Sequence, residues 1–351
     1  MRDDGPVSDL SSFVSGLPKV ELHVHHVGAA SPRIVAELAA RHEGTSPVPT
    51  DPERLREYFV FTDLAHFIDV YLSVVDLVRT PDDVAMLTYE VARDLAGQAV
   101  RYAELTVTPY TSVVRGIAQE AFCEALEDAR QRASRDFGIE FAWTFDIPGE
   151  YGIPGADATL DIALNVRPDG LLSFGLGGPE VGVSRAQFAT HFDRARAAGL
   201  HSVPHAGESV GPESVWEAIR DLKAERIGHG IAAAQDPELM AYLARTGIPL
   251  EVCPTSNLRT RSVPSLEEHP LPQLVAAGVP VSINSDDPPM FSTTLNEEYL
   301  VAARLLDLDA DGTAELAKAG VRASFLPDGR KRALLADIDA HARAHPATAA
   351  G

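Results

Sequence analysis

The sequence predicts an α/β fold, a (β/α)8 TIM barrel with a helical insertion after its first strand. Three observations carry this reading. Short β-type runs alternate with helical stretches along the chain, which argues for parallel strands. Eight such runs occur with no break in composition, the number a closed barrel requires. The residues able to do chemistry gather at the C-terminal ends of those runs, the face where barrel enzymes keep their active sites. On alternation alone, a doubly wound open sheet is the rival architecture.

The runs follow in order. Lys19 to His25 (KVELHVH) is the first, Arg101 to Thr108 the second, Glu140 to Ile147 the third and Leu171 to Leu176 the fourth. His201 to His205, Arg226 to His229, Pro249 to Cys253 and Pro280 to Asn284 complete the set. Between them, Ser184 to Ala198 carries apolar residues at Phe188, Phe192 and Ala195, a helical spacing. Asp236 to Thr246 opens with Asp-Pro, a cap followed by proline in the first turn. The connection between the first two strands is far longer than the others. Within it, Asp51 to Val78 reads as extra helices containing Phe59, Phe61, Leu64, Phe67 and Tyr71. An insertion there belongs at the catalytic mouth and is expected to act as a lid, the alternative being a self-packed helical pair. Residues 1–351 are expected to form a single domain, with the Ala-rich tail after His345 frayed.

Composition narrows the function. Apolar residues make up 45% and charged residues 23%, values of an ordinary globular protein. No apolar run approaches the ~18 residues of a membrane span, and Met1 to Pro6 lacks the apolar core of a signal peptide. Cys123 and Cys253 cannot make a disulfide framework and suit a reducing cytoplasm. Thirty basic against 51 acidic residues give a net charge of −21, which repels a nucleic-acid polyanion. The expected partner is therefore a small molecule, with no nucleic acid and no membrane; nothing in the pattern sets an oligomeric state.

The chemistry lies at strand ends. His23 and His25 are two apart on the first strand, so their side chains share a face. His205 ends the fifth strand and leads into Glu208; His229 ends the sixth inside Gly228-His229-Gly230; Asp286 and Asp287 follow the eighth. Each alone has an ordinary explanation as a cap or a loop residue, but together they predict a metal-dependent site. Three imidazoles and one carboxylate, His23, His25, His205 and Asp286, suit Zn²⁺ and leave a position open. No lysine lies near the fourth strand to bridge a second ion, so one zinc per subunit is expected.

The segments His23-Val24-His25, Gly28, His205-Ala206-Gly207-Glu208, Arg226-Ile227-Gly228-His229-Gly230, Cys253-Pro254-Thr255-Ser256-Asn257 and Ser285-Asp286-Asp287-Pro288 resemble the adenosine deaminase family, in order, from about Leu17 to Phe325. The resemblance implies zinc on His23, His25, His205 and Asp286, and hydrolytic loss of ammonia from a 6-aminopurine. It implies that Glu208 protonates ring nitrogen N1 and that His229 orients or deprotonates the attacking water. Asp287 would hydrogen-bond N7, and the backbone N–H of Gly178 would contact N3. Glu208 must then be a protonated acid, raised by burial, and Asp287 is expected to differ from it in environment. A zinc-dependent esterase or phosphatase on the same barrel is the alternative of a different class. It has no use for an acid aimed at a ring nitrogen.

One departure bears on the substrate. The family's first motif reads His-x-His-Leu-Asp-Gly, its Asp accepting from a ribose 5′-hydroxyl. Here the segment is His23-Val24-His25-His26-Val27-Gly28. Val27 cannot accept. Gly178-Pro179-Glu180 stands where Gly-Asp-Glu is usual, and Thr108-Pro109 lacks an arginine often found there. The changes fall on the sugar side. Val20 to Arg33 and Leu171 to Val183 are most similar to the actinobacterial aminodeoxyfutalosine deaminases of menaquinone biosynthesis, whose substrate carries a 5′-linked aryl carboxylate. The resemblance implies conversion of 6-amino-6-deoxyfutalosine to futalosine, with Val27, Phe61 and Phe67 against the 5′ group. Adenosine and adenine deamination are the alternatives. Arg79 and Arg115 lie near mouth loops, with no pattern selecting either for the acid group.

Overall fold

The computed structural model describes residues 5–61 and 64–345; the predicted frayed tail lies outside them. Eight strands lie side by side in chain order: β1 (Lys19–His25), β2 (Val100–Val107), β3 (Glu140–Pro148), β4 (Leu171–Gly177), β5 (His201–Ala206), β6 (Ile227–His229), β7 (Leu250–Val252) and β8 (Val281–Ile283). All neighbours pair in parallel. A doubly wound sheet would reverse its order part-way; here the order runs straight through and closes. The closure comes just beyond β8. Val24 bridges Asp286, with His25 N donating to Asp286 O at 3.0 Å and Asp286 N to His23 O at 2.9 Å. The predicted (β/α)8 barrel is therefore what forms, and its seam lies between two candidate metal ligands.

Strand alternation divides β3 between two environments. Phe141, Trp143 and Phe145 turn to the outer helices and are buried there. Phe174 of β4 does the same, its ring 5.2 Å from Phe192 on the helix Ala189–Ala197. Burying each such side chain contributes roughly 1.5–3 kcal/mol. The inward residues are polar. Thr144 and Ser173 hydroxyls meet at 2.7 Å, and Arg226 reaches through the interior to Glu104 on β2 and Glu251 on β7.

Four helices fill the long connection: α2 (Pro32–Arg41), α3 (Pro52–Tyr58), α4 (Leu64–Val75) and α5 (Pro81–Ala96), after an initial α1 (Gly5–Gly16). Asp51 caps α3 by accepting from Glu53 N and Arg54 N. Thr80 and Asp83 cap α5 reciprocally, with Pro81 in its first turn. The aromatics of the insertion turn toward the mouth. Phe67 stacks on Phe291 at 5.1 Å, Phe61 meets Phe67 edge-on at 5.1 Å, and Tyr71 lies 6.0 Å from Phe67. Phe291 belongs to the turn after β8, where its N–H donates to Asp287 O at 3.1 Å. The insertion thus packs over the C-terminal end of the barrel. Among the described residues no helix is long and apolar enough to cross a membrane. Cys123 and Cys253 are both free and buried.

Candidate active site and metal centre

β1, β5 and the turn after β8 bring His23, His25, His205 and Asp286 together. The His25 and His205 Nε2 atoms are 3.3 Å apart, and Asp286 Oδ1 lies 3.2 Å from His25 Nε2 and 3.8 Å from His23 Nε2. One nitrogen each from His23, His25 and His205 falls within 4.8 Å of the others. His23 Nε2 is buried in this cluster with no hydrogen-bond partner, an orphan atom that a cation would satisfy. Burial holds His23 and His205 well below the usual histidine range, in the neutral ligating form. Burial also lowers His25, but Asp287, Asp286 and Asp146 outweigh it and push His25 up to about 10. Those carboxylates demand positive charge at this point. The donor set therefore fits a divalent cation.

A second set, His23, His229, Cys253 and Asp286, also lies within 4.8 Å. It would need a thiolate. Burial raises the Cys253 thiol well above its usual value, and Asp286, Glu21, Glu298 and Glu251 raise it further. The three-imidazole set needs no such ionisation and is the better fit.

The surroundings fix these groups. His23 Nδ1 lies 2.7 Å from Glu251 Oε2, while Arg226 Nε donates to Glu251 Oε1, a carboxylate–imidazole pairing that orients a ligand. Ser256 donates to Asp286 Oδ2 at 2.6 Å. Gly228 lies beneath the rings, where a Cβ would come 2.7 Å from His23 Cε1. Gly28 is more restricted still: a Cβ there would fall 1.5 Å from Asp287 Oδ1. His229 and Asp286 both hold left-handed backbone, at φ 59° and 66°, a conformation costing ~1–3 kcal/mol and typical of functional sites.

Glu208 follows β5 on a loop that Glu180 pins. One Glu180 oxygen accepts from Gly207 N at 2.6 Å and Ser214 Oγ at 2.7 Å; the other accepts from Glu208 N at 2.9 Å and Ser209 N at 2.6 Å. Burial raises Glu208, as expected of an acid, although His229 opposes the shift. Its Oε2 is 3.6 Å from His229 Nε2. Burial, then Asp286, push Asp287 up to about 8, and its Oδ1 is buried without a partner. Burial thus raises both acids, but their surroundings differ: His229 faces Glu208, while Asp287 Oδ1 has no partner. A purine N7 only accepts, so a raised Asp287 is the form that can donate to it.

After β1, Val27 lies half-buried in a turn closed by Ala29 N to His25 O at 2.8 Å and Ala30 N to Val27 O at 3.0 Å. His26 turns away and pairs with Thr88 Oγ1 at 2.8 Å. Gly178 follows β4 beside Glu150. Where an arginine was missing at the end of β2, Thr108 Oγ1 donates to Asp146 Oδ1 at 2.6 Å. Asp146 is buried at the end of β3 and raised to about 6 by that burial. Burial raises Tyr71 well above its usual range, and Asp287, Asp146, Asp286 and Glu150 raise it further. Arg79 gives its donors to Asp76 O and Thr45, and Arg115 to Asp76 Oδ1 and Thr111 O. Both arginines serve the mouth loops. Sequence reasoning overlooked Glu251, Asn257, His269 and Asp146; only Asn257 lay inside a quoted motif.

The profile of the family described as Adenosine deaminase matches residues 18–341. The chain belongs to the adenosine deaminase family. A relative from Streptomyces coelicolor named aminodeoxyfutalosine deaminase is 64% identical over 338 residues, spanning 96% of this chain and 87% of its own length. The crystal structure of an adenine deaminase from Arthrobacter aurescens is similar at a TM-score of 0.88 and 32% identity, over 93% of this chain and 99% of that one. A Burkholderia ambifaria amidohydrolase with bound Zn is similar at a TM-score of 0.87 and 26% identity, over 99% and 98%. This member of the family therefore shares its barrel with an adenine deaminase over 93% of its chain.

Proposed function

We propose that this chain is a cytoplasmic, zinc-dependent aminohydrolase that converts 6-amino-6-deoxyfutalosine to futalosine and ammonia on the route to menaquinone. The observation that carries the substrate is the 64% identity to the Streptomyces coelicolor aminodeoxyfutalosine deaminase, against 32% to the Arthrobacter aurescens adenine deaminase. Val27 supports the same reading, since it has nothing to offer a free 5′-hydroxyl. Residues 1–351 act as one hydrolase barrel, with the insertion at about 51–78 as its lid.

His23, His25, His205 and Asp286 would hold one zinc ion, which when bound makes hydroxide available near neutral pH. The chain's own groups do the rest. Glu208, protonated, gives its proton to N1, which breaks ring aromaticity and opens C6 to attack. Asp287, also protonated, donates to N7, and Gly178 N–H contacts N3. His229 borders the attacking oxygen. As the water oxygen bonds to C6, one of its protons goes to the amino nitrogen and the other restores Glu208; the C6–N bond breaks and ammonia leaves. Phe61 and Phe67 cover the 5′ chain, with Val27 beneath it.

The test is a two-by-two comparison of wild type and Val27→Asp, each with adenosine and 6-amino-6-deoxyfutalosine, reading ammonia release. An unsatisfied buried hydroxyl costs ~1–3 kcal/mol, and apolar area buried under the aromatics adds about 25 cal/mol per Å² for the longer substrate. Wild type is expected to prefer that substrate by roughly two to three decades in kcat/KM, and Val27→Asp to narrow the gap. A wild-type preference for adenosine would overturn the substrate while leaving the deaminase assignment in place.

A further inference from the structure

A single peptide N–H sets the polarity of a hydrogen-bond chain that ends on His229. Leu271 N donates to His269 Nδ1 at 3.1 Å. A peptide N–H cannot accept, so Nδ1 carries a lone pair and the neutral ring has its proton on Nε2. His269 is buried, and that burial lowers it to about 4, leaving it neutral across the working range. Its Nε2 lies 3.1 Å from Asn257 Oδ1. The amide must present oxygen there, because the flipped amide would set N–H against N–H. Asn257 Nδ2 then donates to His229 Nδ1 at 3.2 Å. That nitrogen is an acceptor in turn, and an imidazolium at His229 would again oppose two donors. The proton of His229 therefore sits on Nε2, the edge facing Glu208 Oε2 at 3.6 Å and Asp286 Oδ2 at 3.8 Å.

We propose that His269 is a positioning residue that, through Asn257, holds His229 in its Nε2–H tautomer, so that His229 meets the site as a hydrogen-bond donor. His269 touches neither the metal ligands nor the carboxylates of the cleft. It acts over two hydrogen bonds, both buried, where a wrong orientation leaves an unpaired group and costs ~1–3 kcal/mol. The arrangement also explains a buried asparagine beside the site. Asn257 has one face of each polarity and joins two imidazoles that need opposite ones. The catalytic consequence rests on the deaminase reading above; the tautomer itself does not.

The experiment uses zinc-loaded full-length protein with ¹⁵N-labelled histidine. Long-range ¹H–¹⁵N correlations distinguish a protonated from an unprotonated ring nitrogen, and His229→Asn identifies the His229 signals. Wild-type His229 is expected to show protonated Nε2 and unprotonated Nδ1. His269→Leu is expected to mix the two tautomers and lower kcat by about 10- to 100-fold, the size found when a partner that orients a site histidine is removed. KM and zinc content should change little. His269→Gln, whose amide can accept from Leu271 N–H and donate to Asn257, should restore the pattern and most of kcat. Protonated Nδ1 in wild-type His229 would overturn the proposal, and so would a fall in kcat in His269→Leu with the His229 pattern unchanged. If His269→Leu does not fold, the wild-type spectrum decides alone. Absence of ammonia release from every 6-aminopurine would remove the deaminase reading while the spectrum still settled the tautomer.

Discussion

Replacing Glu251 by glutamine tests how the buried network serves the metal centre. The two carboxylate oxygens answer different segments: Arg226 Nε, just before β6, donates to Oε1, and His23 Nδ1 of β1 lies 2.7 Å from Oε2. For His23 to turn a lone pair on Nε2 toward a cation, its proton must be on Nδ1, so both neighbours donate. Glutamine supplies one acceptor and one NH2. Either orientation sets N–H against N–H, in a site where Arg226 and His23 are 0% and 1% exposed. Removing one partner of a buried charge pair costs ~3–5 kcal/mol, and the remaining Glu104 contact to Arg226 favours the low end. Lost orientation of a ligand histidine costs 10- to 100-fold in metal affinity, about 1.4–2.7 kcal/mol. Urea unfolding of the metal-free protein reads the first quantity, and competition with a chromophoric chelator reads the second. An unchanged zinc affinity in a folded Glu251→Gln protein would refute the argument, because it would mean that His23 is oriented without this carboxylate.

Three further outcomes are expected. His205→Ala should abolish both bound metal and ammonia release; retained stoichiometric zinc, by elemental analysis, would remove His205 from the ligand set. Glu208→Gln should keep zinc but lose at least the ~10²–10⁴ in kcat typical of a general acid, and near-normal turnover would assign the proton donor elsewhere. Lys19 donates to Val14 O and Leu17 O at 2.7 Å each, and burial followed by Arg101 lowers it to about 7. Between about 7 and 10.5 the unfolded chain binds a proton that the folded chain has released, so stability rises with pH by up to ~1.4 kcal/mol per unit. Lys19→Met should remove that contribution, and equal slopes in wild type and variant between pH 7 and 9 would show Lys19 staying charged.

The order of strands and the cluster of candidate ligands were legible because each depends on local signals. A run such as KVELHVH states its own period, and the residue that ends a barrel strand is at the mouth whatever lies across from it. β1 accordingly begins and ends where the sequence indicates, and the shorter β6, β7 and β8 lie within their predicted runs. The partners of those ligands were not legible. Glu251 sits in the run PLEVC, which reads as an apolar strand, and meets His23 228 positions away. His269 lies in a stretch with no periodic signal, and its link to Asn257 exists only because the chain folds back after the helix Pro254–Arg259. Glu180 could be seen as keeping the family pattern beside the departing Pro179, but not as the anchor of the Glu208 loop, since its four partners come from the next strand's loop and helix. The raised Asp287 was not legible for a related reason: burial and then Asp286 raise it, and the dipeptide does not reveal the burial.

The division between chemistry and specificity follows from the same geometry. His23 and His25 are locked by the seam of the barrel, through His25 N to Asp286 O and Asp286 N to His23 O, so any shift of β1 also moves the turn after β8. Gly28 is locked as well, because Asp287 occupies the space of its side chain. Val27 lies between these fixed points, yet its backbone is held by the turn itself, through Ala30 N to Val27 O. Its side chain makes none of the polar contacts that hold the metal ligands or the acids. A change of residue at position 27 would therefore alter the surface proposed for the 5′ group without displacing an imidazole or a carboxylate. The reverse does not hold. A side chain at position 28 would have to push Asp287 out of the cleft, and with it the donor proposed for N7. On the proposed reading, substrate choice varies at one position of this turn while its neighbour stays bound to the chemistry.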